Sequence, residues 1–368
     1  MWQTKTIFRQ LQAWLSHPAF ERLVAGQQGD WHVHRVSCWS LFLTLLWAQW
    51  TGRDSLRDIE AGVDAHGSAL AGAGLVSGKR STIARALHQR PWSIVAGFCL
   101  QLASQATATL RIPPQLYSLD ATVIDLCLRV FPWAHFRRHK GGIKLHVLWD
   151  HQRGVPTLLN LTAANQREFE TARTLQLPHG SILCCDRGYL DFAWFRDLSE
   201  RGVAVITLAR AGWTYRVLER RPCTDQVGVT SDQIVVLTGP LSRQKHPGPL
   251  RRIRYVDPLT HNVWVILTTH RELPAASVVT LYRQRWQIEL FFKWIKRNLK
   301  IKAFYGTDYN AVMWQIYAAL ALYILLALLK QRLRLTWSLF QLQRRLRDHL
   351  QTTVPLAELL IAKTGAAT

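Results

Sequence analysis

Acidic residues are scarce in this chain. Its 368 residues include 24 Asp and Glu against 46 Lys and Arg, which gives a formal net charge of +22 at pH 7. The basic excess is spread along the sequence and does not sit in one tail. Because neutralising phosphates releases their counterions, such a chain suits a polyanionic partner, most simply nucleic acid. A membrane surface is the competing polyanion.

Cysteine pairs of the kinds that bind metal or form disulfides are absent. None of the six cysteines forms a Cys-x-x-Cys pair, and no cluster of His and Cys has zinc-finger spacing. Cys184 and Cys185 are adjacent, which is poor geometry for a disulfide between them. This usage argues against a zinc finger and a disulfide scaffold. It predicts reduced, buried thiols in the cytoplasm.

Long apolar runs are also rare. Residues 311–329 are apolar except for Gln315, so this segment is just long enough to span a bilayer. Its small alanines, and the lack of a second such segment, favour a buried core helix. A membrane-anchored protein is the alternative.

The first part of the chain has helical spacing throughout, and we expect an all-helical N-terminal domain over residues 1–110. Within it, residues 81–88 follow a basic turn and predict a helix with Ser81 as its N-cap. The segment resembles the recognition helix of a helix-turn-helix, with Arg85 pointing outward as a candidate DNA contact. An ordinary basic surface helix is the alternative.

After Pro113-Pro114 the pattern changes to short apolar runs interleaved with helical segments. Strands are expected at residues 116–120, 142–150, 155–162, 181–186 and 203–208. Helices are expected at residues 167–175 and 191–200. This order is typical of a mixed α/β sheet with helical cover.

The remaining sequence divides into three further regions. Residues 210–273 predict four short strands, as a β-strand insertion with a basic, exposed stretch over residues 242–254. Helical spacing returns in residues 274–330. Residues 331–368 predict a basic helical C-terminal region.

Residues 282–296 contain no Pro or Gly and carry apolar side chains at helical spacing, which predicts one continuous helix. Glu289 is the only acid between Glu272 and Asp308. A lone carboxylate in a basic field is either paired on an exposed helix or a metal ligand beside cations that hold phosphates. The side chains that would project within roughly 80° of one another here are Tyr282, Arg285, Glu289, Lys293 and Lys296.

Two aspartates stand at the ends of predicted strands, Asp120 after the first and Asp186 after the fourth. Each has an ordinary alternative, since Asp120 could cap a turn and Asp186 could pair with Arg187. Together with Glu289, however, they form a set of three carboxylates. Such a set can hold two Mg²⁺ ions, as two-metal phosphoryl transfer requires.

The sequence resembles the DDE transposases of the IS4 family of bacterial insertion sequences. The family signature Tyr-x2-Arg-x3-Glu-x6-Lys is matched by Tyr282, Arg285, Glu289 and Lys296. The Asp-Ala-Thr at 120–122 and the Asp-Arg-Gly-Tyr at 186–189 match the other two motifs. The N-terminal helical stretch also resembles that family's N-terminal domain.

The resemblance implies an α/β fold with an RNase H-like catalytic core in residues 111–209 and 274–330. The β-strand insertion would be residues 210–273, and the all-helical N-terminal domain would recognise DNA ends. Asp120, Asp186 and Glu289 would be catalytic and would bind two Mg²⁺ ions, for which Mn²⁺ substitutes. The DNA-binding residues would be Tyr282, Arg285, Lys293 and Lys296, with Arg85 in the N-terminal domain.

The implied activity is cleavage at insertion-sequence ends and joining of the 3′-OH to target DNA. The implied partners are double-stranded DNA, as terminal inverted repeats and target, and a second copy of the chain. We expect a cytoplasmic, nucleoid-associated bacterial protein without membrane contact. A nuclease that does not join strands and a non-catalytic DNA-binding protein are the alternatives.

Two assignments stay open at this point. Asp125, five residues after Asp120, is a rival for the first carboxylate, although Asp120 has the strand-end position. Some relatives stack a flipped base on a tryptophan. The candidates for that role are Trp213, Trp264, Trp286 and Trp294.

Overall fold

The structure is a computed structural model that describes residues 5–75, 78–107, 115–137, 140–166, 168–223, 227–301 and 303–361. Its contacts divide the chain into two compact units. Unit 1 comprises residues 1–107, 123–143 and 292–368, and unit 2 comprises residues 108–122 and 144–291. These units group segments by packing, and the four regions predicted from the sequence stay a prediction.

The helices and strands have the following bounds. The α-helices are α1 (Ile7–Gln12), α2 (His17–Gly26), α3 (Cys38–Thr51), α4 (Leu56–Ala65), α5 (Gly67–Ala71), α6 (Arg80–Gln89), α7 (Ser93–Ser104), α8 (Glu168–Arg173), α9 (Phe192–Glu200), α10 (Pro240–Lys245), α11 (Ala275–Gln284), α12 (Trp286–Asn298), α13 (Tyr309–Arg332), α14 (Leu339–His349) and α15 (Leu356–Ile361). The strands are β1 (Leu116–Leu126), β2 (His135–Arg137), β3 (Lys140–Asp150), β4 (Val155–Ala163), β5 (Ile182–Cys185), β6 (Ala204–Leu208), β7 (Tyr215–Arg221), β8 (Val229–Leu237), β9 (Leu250–Val256) and β10 (Val263–Thr268). Short 3-10 helices span Pro132–Ala134 and Arg187–Tyr189.

The strands form one ten-stranded sheet, in the order β2-β3-β1-β5-β6-β10-β9-β8-β7, with β4 paired to β3. β1, β5 and β6 run parallel to one another. Leu119 of β1 lies opposite Cys185 of β5, and Cys184 lies opposite Ile206 of β6. The predicted mixed α/β architecture, a large sheet with helices, is confirmed.

β3 runs antiparallel to β1, as contacts at both ends of the pair indicate. The His151 N–H, just after β3, donates to the Leu116 carbonyl at the start of β1, at 3.1 Å. Gly141, at the start of β3, lies against the Leu126 carbonyl at the end of β1, where a Cβ would approach within 2.8 Å. A tight turn closed by Gly154 then leads into β4. The first three long strands are therefore an antiparallel meander beside two parallel strands.

The strands of residues 210–273 extend this sheet. β10 pairs antiparallel with β6, and β9, β8 and β7 follow in turn. The predicted basic loop is exposed at Arg243 and Lys245, as expected, but the structure corrects it in two respects. Pro240–Lys245 form α10, with the proline in the first turn, where its missing N–H is not needed. Arg251 is 2% exposed, because strand alternation turns it toward the buried Asp232.

Side chains of unit 2 form a core on each face of its sheet. Leu119 and Cys185 belong to one cluster, which α9 covers through Phe195. Ile182 and Cys184 belong to the other, which α11 covers. The alternation of neighbouring residues between the two clusters follows from the period of two along a strand.

Unit 1 is built around α13, which contains the apolar segment noted in the sequence. The helix is long and apolar enough to cross a bilayer, but 94% of its most apolar window is buried inside the protein. Its polar residue, Gln315, donates to the carbonyls of Lys300 and Ala303 and accepts from the Tyr305 N–H. This packing is that of a core helix, as the sequence predicted.

α6 carries Arg85, the candidate DNA contact of the N-terminal region. The helix begins at Arg80, with Lys79 as its N-cap, so the prediction of Ser81 as the N-cap is wrong. Ile83 is buried and Arg85 is exposed, as predicted. Two residues of the preceding turn, 76 and 77, lie outside the described residues.

The single helix predicted over residues 282–296 is divided in two at Arg285. The Arg285 N–H donates to the Tyr282 carbonyl, and the Ile288 N–H donates to the Arg285 carbonyl, at 3.1 and 3.2 Å. Both hydrogen bonds span three residues instead of four, so the turn tightens at this point. Helical spacing in the sequence does not reveal this break, because the segment contains no Gly or Pro, the residues that most strongly disfavour a helix interior.

The buried ion pair of β8 and β9 gives a test of the sheet. The side chains of Arg251 and Asp232 are 3% and 2% exposed, and they are joined by two hydrogen bonds, of 2.8 and 2.6 Å. Asp232→Ala would leave the guanidinium without its partner in the interior. We expect it to lower the free energy of unfolding by about 3–5 kcal/mol. Urea denaturation monitored by circular dichroism measures this loss.

Glu219→Ala is the matched control, because Glu219 pairs with Arg221 in β7 and its side chain is 56% exposed. We expect that variant to lose less than about 1 kcal/mol. Equal losses in the two variants would contradict the account of this sheet.

Candidate active site

Asp120 and Asp186 lie side by side at the centre of the sheet. Leu119 and Cys185 are paired across β1 and β5. The two aspartates are the next residue along each of these parallel strands, so the same register places them opposite one another. Asp186 is half-buried and directly precedes the 3-10 helix Arg187–Tyr189.

The two carboxylates belong to the face of the sheet that α11 covers. Side chains alternate along a strand, so Asp120 shares a face with Ser118, and Asp186 shares one with Cys184. Cys184 packs in the α11 cluster, and its thiol lies 3.6 Å from the Leu281 carbonyl. Both aspartates therefore point toward the end of α11, where Arg285 lies. Asp186 directly follows β5, as predicted, but Asp120 lies within β1, which continues to Leu126, so the prediction that the first strand ends at Asp120 is wrong.

Arg285 connects the strands to the helix. Its Nη1 donates to Asp120 Oδ2 at 3.0 Å and to Glu289 Oε1 at 3.4 Å. The side chains of Arg285 and Asp120 are each 14% exposed, and that of Glu289 is 38% exposed. The second oxygen of Asp120 accepts the Ala121 N–H at 2.8 Å. One guanidinium nitrogen thus joins a carboxylate of the sheet and a carboxylate of α12.

The electrostatics of this group are strongly perturbed. The pKa of Asp120 is raised to about 7, mainly by burial and also by the negative charges of Glu289 and Asp186, against the opposing effects of the Ala121 N–H and Arg285. Burial disfavours the charge of Arg285, but Tyr282 and the surrounding carboxylates raise its pKa overall. A perturbed carboxyl with charged partners is typical of an active site.

Tyr282 and Lys296 of the four-residue signature, and the nearby Lys293, differ in how far they are buried. Tyr282 is 5% exposed, packs edge-on against Trp264 at 5.8 Å, and lies beside the Arg285 guanidinium. Burial raises its pKa to about 12. Lys293 is exposed and Lys296 is half-buried. They follow Glu289 on α12 by four and seven residues, on its side of that helix.

Arg210 is a residue that the sequence did not single out. Its Nε donates to the Arg187 carbonyl at 2.9 Å, and its Nη2 donates to the Gly188 carbonyl at 3.2 Å. These are the carbonyls of the turn that follows Asp186. Arg210 therefore fixes this turn from the end of β6. Nothing in the local sequence around Arg210 predicts a partner more than 20 residues away.

The structure bears on the two assignments left open by the sequence, namely the identity of the first carboxylate and the choice among four tryptophans. Asp125 is exposed and lies an odd number of residues from Asp120 along β1, which puts it on the opposite face. It is not part of this group. Of the four candidate tryptophans, Trp286 is 60% exposed and adjoins Arg285, whereas the other three are half-buried.

The residues suit a divalent metal in chemical type. Carboxylate oxygens are the ligands that Mg²⁺ and Mn²⁺ prefer. The negative charges of Glu289 and Asp186 help to raise the pKa of Asp120, an effect that a bound cation would relieve. Arg285 supplies the balancing positive charge between Asp120 and Glu289. Within the described ranges, no three His, Cys, Asp or Glu side chains already stand together as a metal-binding group.

Comparison with known proteins identifies the class. A family model described as a transposase DDE domain matches residues 112–325, and one described as a domain of unknown function (DUF4372) matches residues 3–76. The chain is 31% identical over 259 residues to a protein of Sinorhizobium fredii (strain NGR234) named as transposase y4zB, covering 69% of this chain and 72% of that protein.

Two further similarities agree with this class. A protein of Geobacillus stearothermophilus named as a transposase for insertion sequence element IS5377 is 24% identical over 253 residues, 67% of this chain and 66% of that protein. In fold, the chain is similar to the piggyBac transposase solved by cryo-EM in a synaptic complex with hairpin DNA. The TM-score is 0.52 at 10% identity, covering 97% of this chain and 81% of that chain.

These matches identify the family as the DDE transposases of insertion sequences. The chain belongs to this family, and its function is DNA transposition. The resemblance inferred from the three motifs is confirmed. The matched region spans Asp120, Asp186 and Glu289.

The raised pKa of Asp120 gives a test of the site that needs no DNA. Its ordinary value is near 3.8, and in the folded protein it is about 7. The folded state therefore binds this proton more tightly, and the associated stability is lost as pH rises through about 7. We expect Asp120→Asn to raise the melting temperature relative to wild type, with a gain that is larger at pH 8 than at pH 5.

Asp125→Asn is the control, because Asp125 is an exposed acid of the same strand. Its effect on the melting temperature should be the same at both pH values. A gain for Asp120→Asn that does not change with pH would contradict the electrostatic account of the site.

Proposed function

We propose that this transposase cleaves DNA at the ends of its element and joins the resulting 3′-OH to target DNA, with Asp120, Asp186 and Glu289 as the catalytic carboxylates. The observation that carries the proposal is the Arg285 bridge. It brings Glu289 of α12 to Asp120 of β1, which is beside Asp186. Asp120 thereby has both other carboxylates as neighbours, Glu289 through Arg285 and Asp186 across the strand pair.

Each residue has a separate task in this proposal. Asp120 and Asp186 would supply oxygen ligands from adjacent strands, whose pairing holds them in register, and Glu289 would supply the third ligand from α12. When bound, two Mg²⁺ ions activate the attacking hydroxyl and stabilise the leaving oxygen. Arg285 would orient Glu289, and Arg210 would hold the turn that carries Asp186.

DNA contacts would come from the cations and the exposed ring next to the carboxylates. Lys293 and Lys296 follow Glu289 on α12 and would bind phosphates. Tyr282 is too buried for a broad DNA contact, so it would act mainly by holding Arg285. Trp286 would offer its exposed face to a base. In unit 1, Arg85 of α6 would contribute to recognition of the element end.

The arrangement of strands supports an RNase H-like core. An antiparallel meander of β4, β3 and β1 continues into the parallel strands β5 and β6, and the carboxylates sit at the centre of that order. Two copies of the chain would act on paired ends, in the bacterial cytoplasm at the nucleoid. Residues 1–110 and 210–273 would be the end-recognition domain and the insertion.

Removing one carboxylate charge tests this proposal. Glu289→Gln keeps the shape of the side chain but removes the negative charge of a metal ligand. We expect cleavage of element-end DNA in Mg²⁺ to fall by at least about a hundredfold, since metal-bound carboxylates supply several kcal/mol of transition-state stabilisation. End binding, measured by fluorescence anisotropy, should stay within about twofold.

Glu272→Gln is the control, because Glu272 is an exposed acid outside this group. It should cleave at the wild-type rate. Loss of end binding together with cleavage in Glu289→Gln would mean a structural role for Glu289. Cleavage by wild type without joined products would favour a nuclease that does not transfer strands.

The phosphate contact proposed for Lys293 has its own measurement. Replacing a lysine that neutralises one phosphate reduces the slope of log affinity against log salt by about one. We expect this change in Lys293→Ala for both element-end and unrelated DNA. Arg196→Ala is the control, because Arg196 pairs with Glu200 on α9, which covers the other face of the sheet. An unchanged slope in Lys293→Ala would rule out the contact.

A further inference from the structure

Trp31, in the loop between α2 and α3, is the most exposed aromatic side chain among those whose exposure the structure gives, at 69%. Tryptophan is usually buried in large part, and a fully presented indole exposes much apolar surface to water. Nothing in the proposed catalytic reaction uses it. The exposed ring of Trp31 is therefore available for contact with a partner molecule.

The backbone of this loop has a positive φ angle on both sides of Trp31. Gln28 and His32 have φ angles of +49° and +54°. Residues other than glycine rarely adopt such angles, and strained backbone is concentrated at functional sites. In the described part of the chain only two further non-glycine residues do so.

Contacts on the buried side hold the loop in this conformation. The Asp30 carboxylate accepts the Cys38 N–H at 2.8 Å. Gly29 is packed so closely that a Cβ there would approach the Ile94 side chain within 2.5 Å. The loop is thus fixed at its base, and it presents Trp31 from a rigid support.

The surface around the ring has the chemistry of a polyanion site. His32 lies edge-on to Trp31 at 5.1 Å, and His34 and Arg35 are exposed. Asp30 is the only acid between Gln27 and Cys38, and its carboxylate is engaged with the Cys38 N–H and lies 3.9 Å from Arg90. An exposed aromatic ring on a surface with basic residues can serve as a stacking platform for a nucleic-acid base.

Arg90 ties this loop to α6. It is the C-cap residue of that helix, and its Nη2 donates to the Val36 carbonyl at 3.3 Å. The Asp30 carboxylate lies next to the same guanidinium. Trp31 and the exposed Arg85 therefore belong to one connected part of unit 1.

We propose that Trp31 stacks on a base, or wedges between bases, of the element-end DNA that α6 contacts. The inference rests on the proposed function, because it assumes that unit 1 binds the element end. DNA is favoured over a protein partner because the same loop carries exposed His32, His34 and Arg35, while its one acid, Asp30, is bonded to the Cys38 N–H. Stacking would add affinity without adding to the number of phosphates bound.

The test is end binding by Trp31→Ala, Trp31→Phe and Phe340→Ala. Phe340 is the matched control, as a 51% exposed aromatic residue on α14 in the same unit. Stacking on one base is worth enough to weaken binding roughly fivefold or more when the ring is removed. We expect that loss in Trp31→Ala with an unchanged salt slope, near wild-type affinity in Trp31→Phe, and no change in Phe340→Ala. Thermal melting should show all variants folded.

A second readout places the contact on the DNA. With 2-aminopurine at successive positions of the element end, wild type should change the fluorescence at one position, and Trp31→Ala should lose that change. Affinities within twofold of wild type for Trp31→Ala would overturn the inference. Unchanged DNA binding with loss of self-association by mass photometry would assign Trp31 to a protein interface instead. If neither wild type nor Trp31→Ala binds the element end, the proposed function itself fails.

Discussion

The hydrogen bonds of Arg285 to Asp120 and Glu289 are the interaction on which the catalytic region depends. Burying a carboxylate beside two others is costly unless an opposite charge balances it. Arg285 provides that charge, and its position at a tightened turn between α11 and α12 brings it within reach of both acids. Even with this partner the pKa of Asp120 is raised to about 7. The site therefore holds a carboxyl whose ionised form is disfavoured, which weakens stability as the pH rises and suits a divalent cation.

The rest of unit 2 serves to fix where these side chains meet. The parallel pairing of β1 and β5 sets Asp120 beside Asp186, and the packing of α11 on the same face delivers Arg285. The strands of residues 210–273 widen the sheet, and the buried Arg251 donates to the Arg271 and Leu273 carbonyls, just before α11 begins. Interactions far from the carboxylates in sequence thus anchor the segment that leads into α11, the helix that ends at Arg285.

Much of this could be predicted from the sequence, because the signals are local. The end of an apolar run identified Asp186 and helical spacing identified Glu289, and the apolar pattern identified most strands of the sheet. Asp120 was identified from a strand end that the structure does not have, because β1 continues to Leu126. What could not be predicted depends on tertiary contacts. The break at Arg285 follows from its partner on another element, and the burial of Arg251 follows from a pairing with Asp232. Arg210 donates to backbone carbonyls, and because every residue has one, the sequence does not indicate which will be its partner.

The central claim is that the carboxylates of β1, β5 and α12 form one metal-dependent site for cutting and joining DNA. The most direct measurement incubates wild type and Asp186→Asn with paired element ends and a supercoiled target, with and without Mg²⁺. The account predicts 3′-OH ends and joined products with wild type in Mg²⁺, and neither product without the metal or with the variant. Cutting by Asp186→Asn at the wild-type rate, or cutting that does not require a divalent metal, would contradict it.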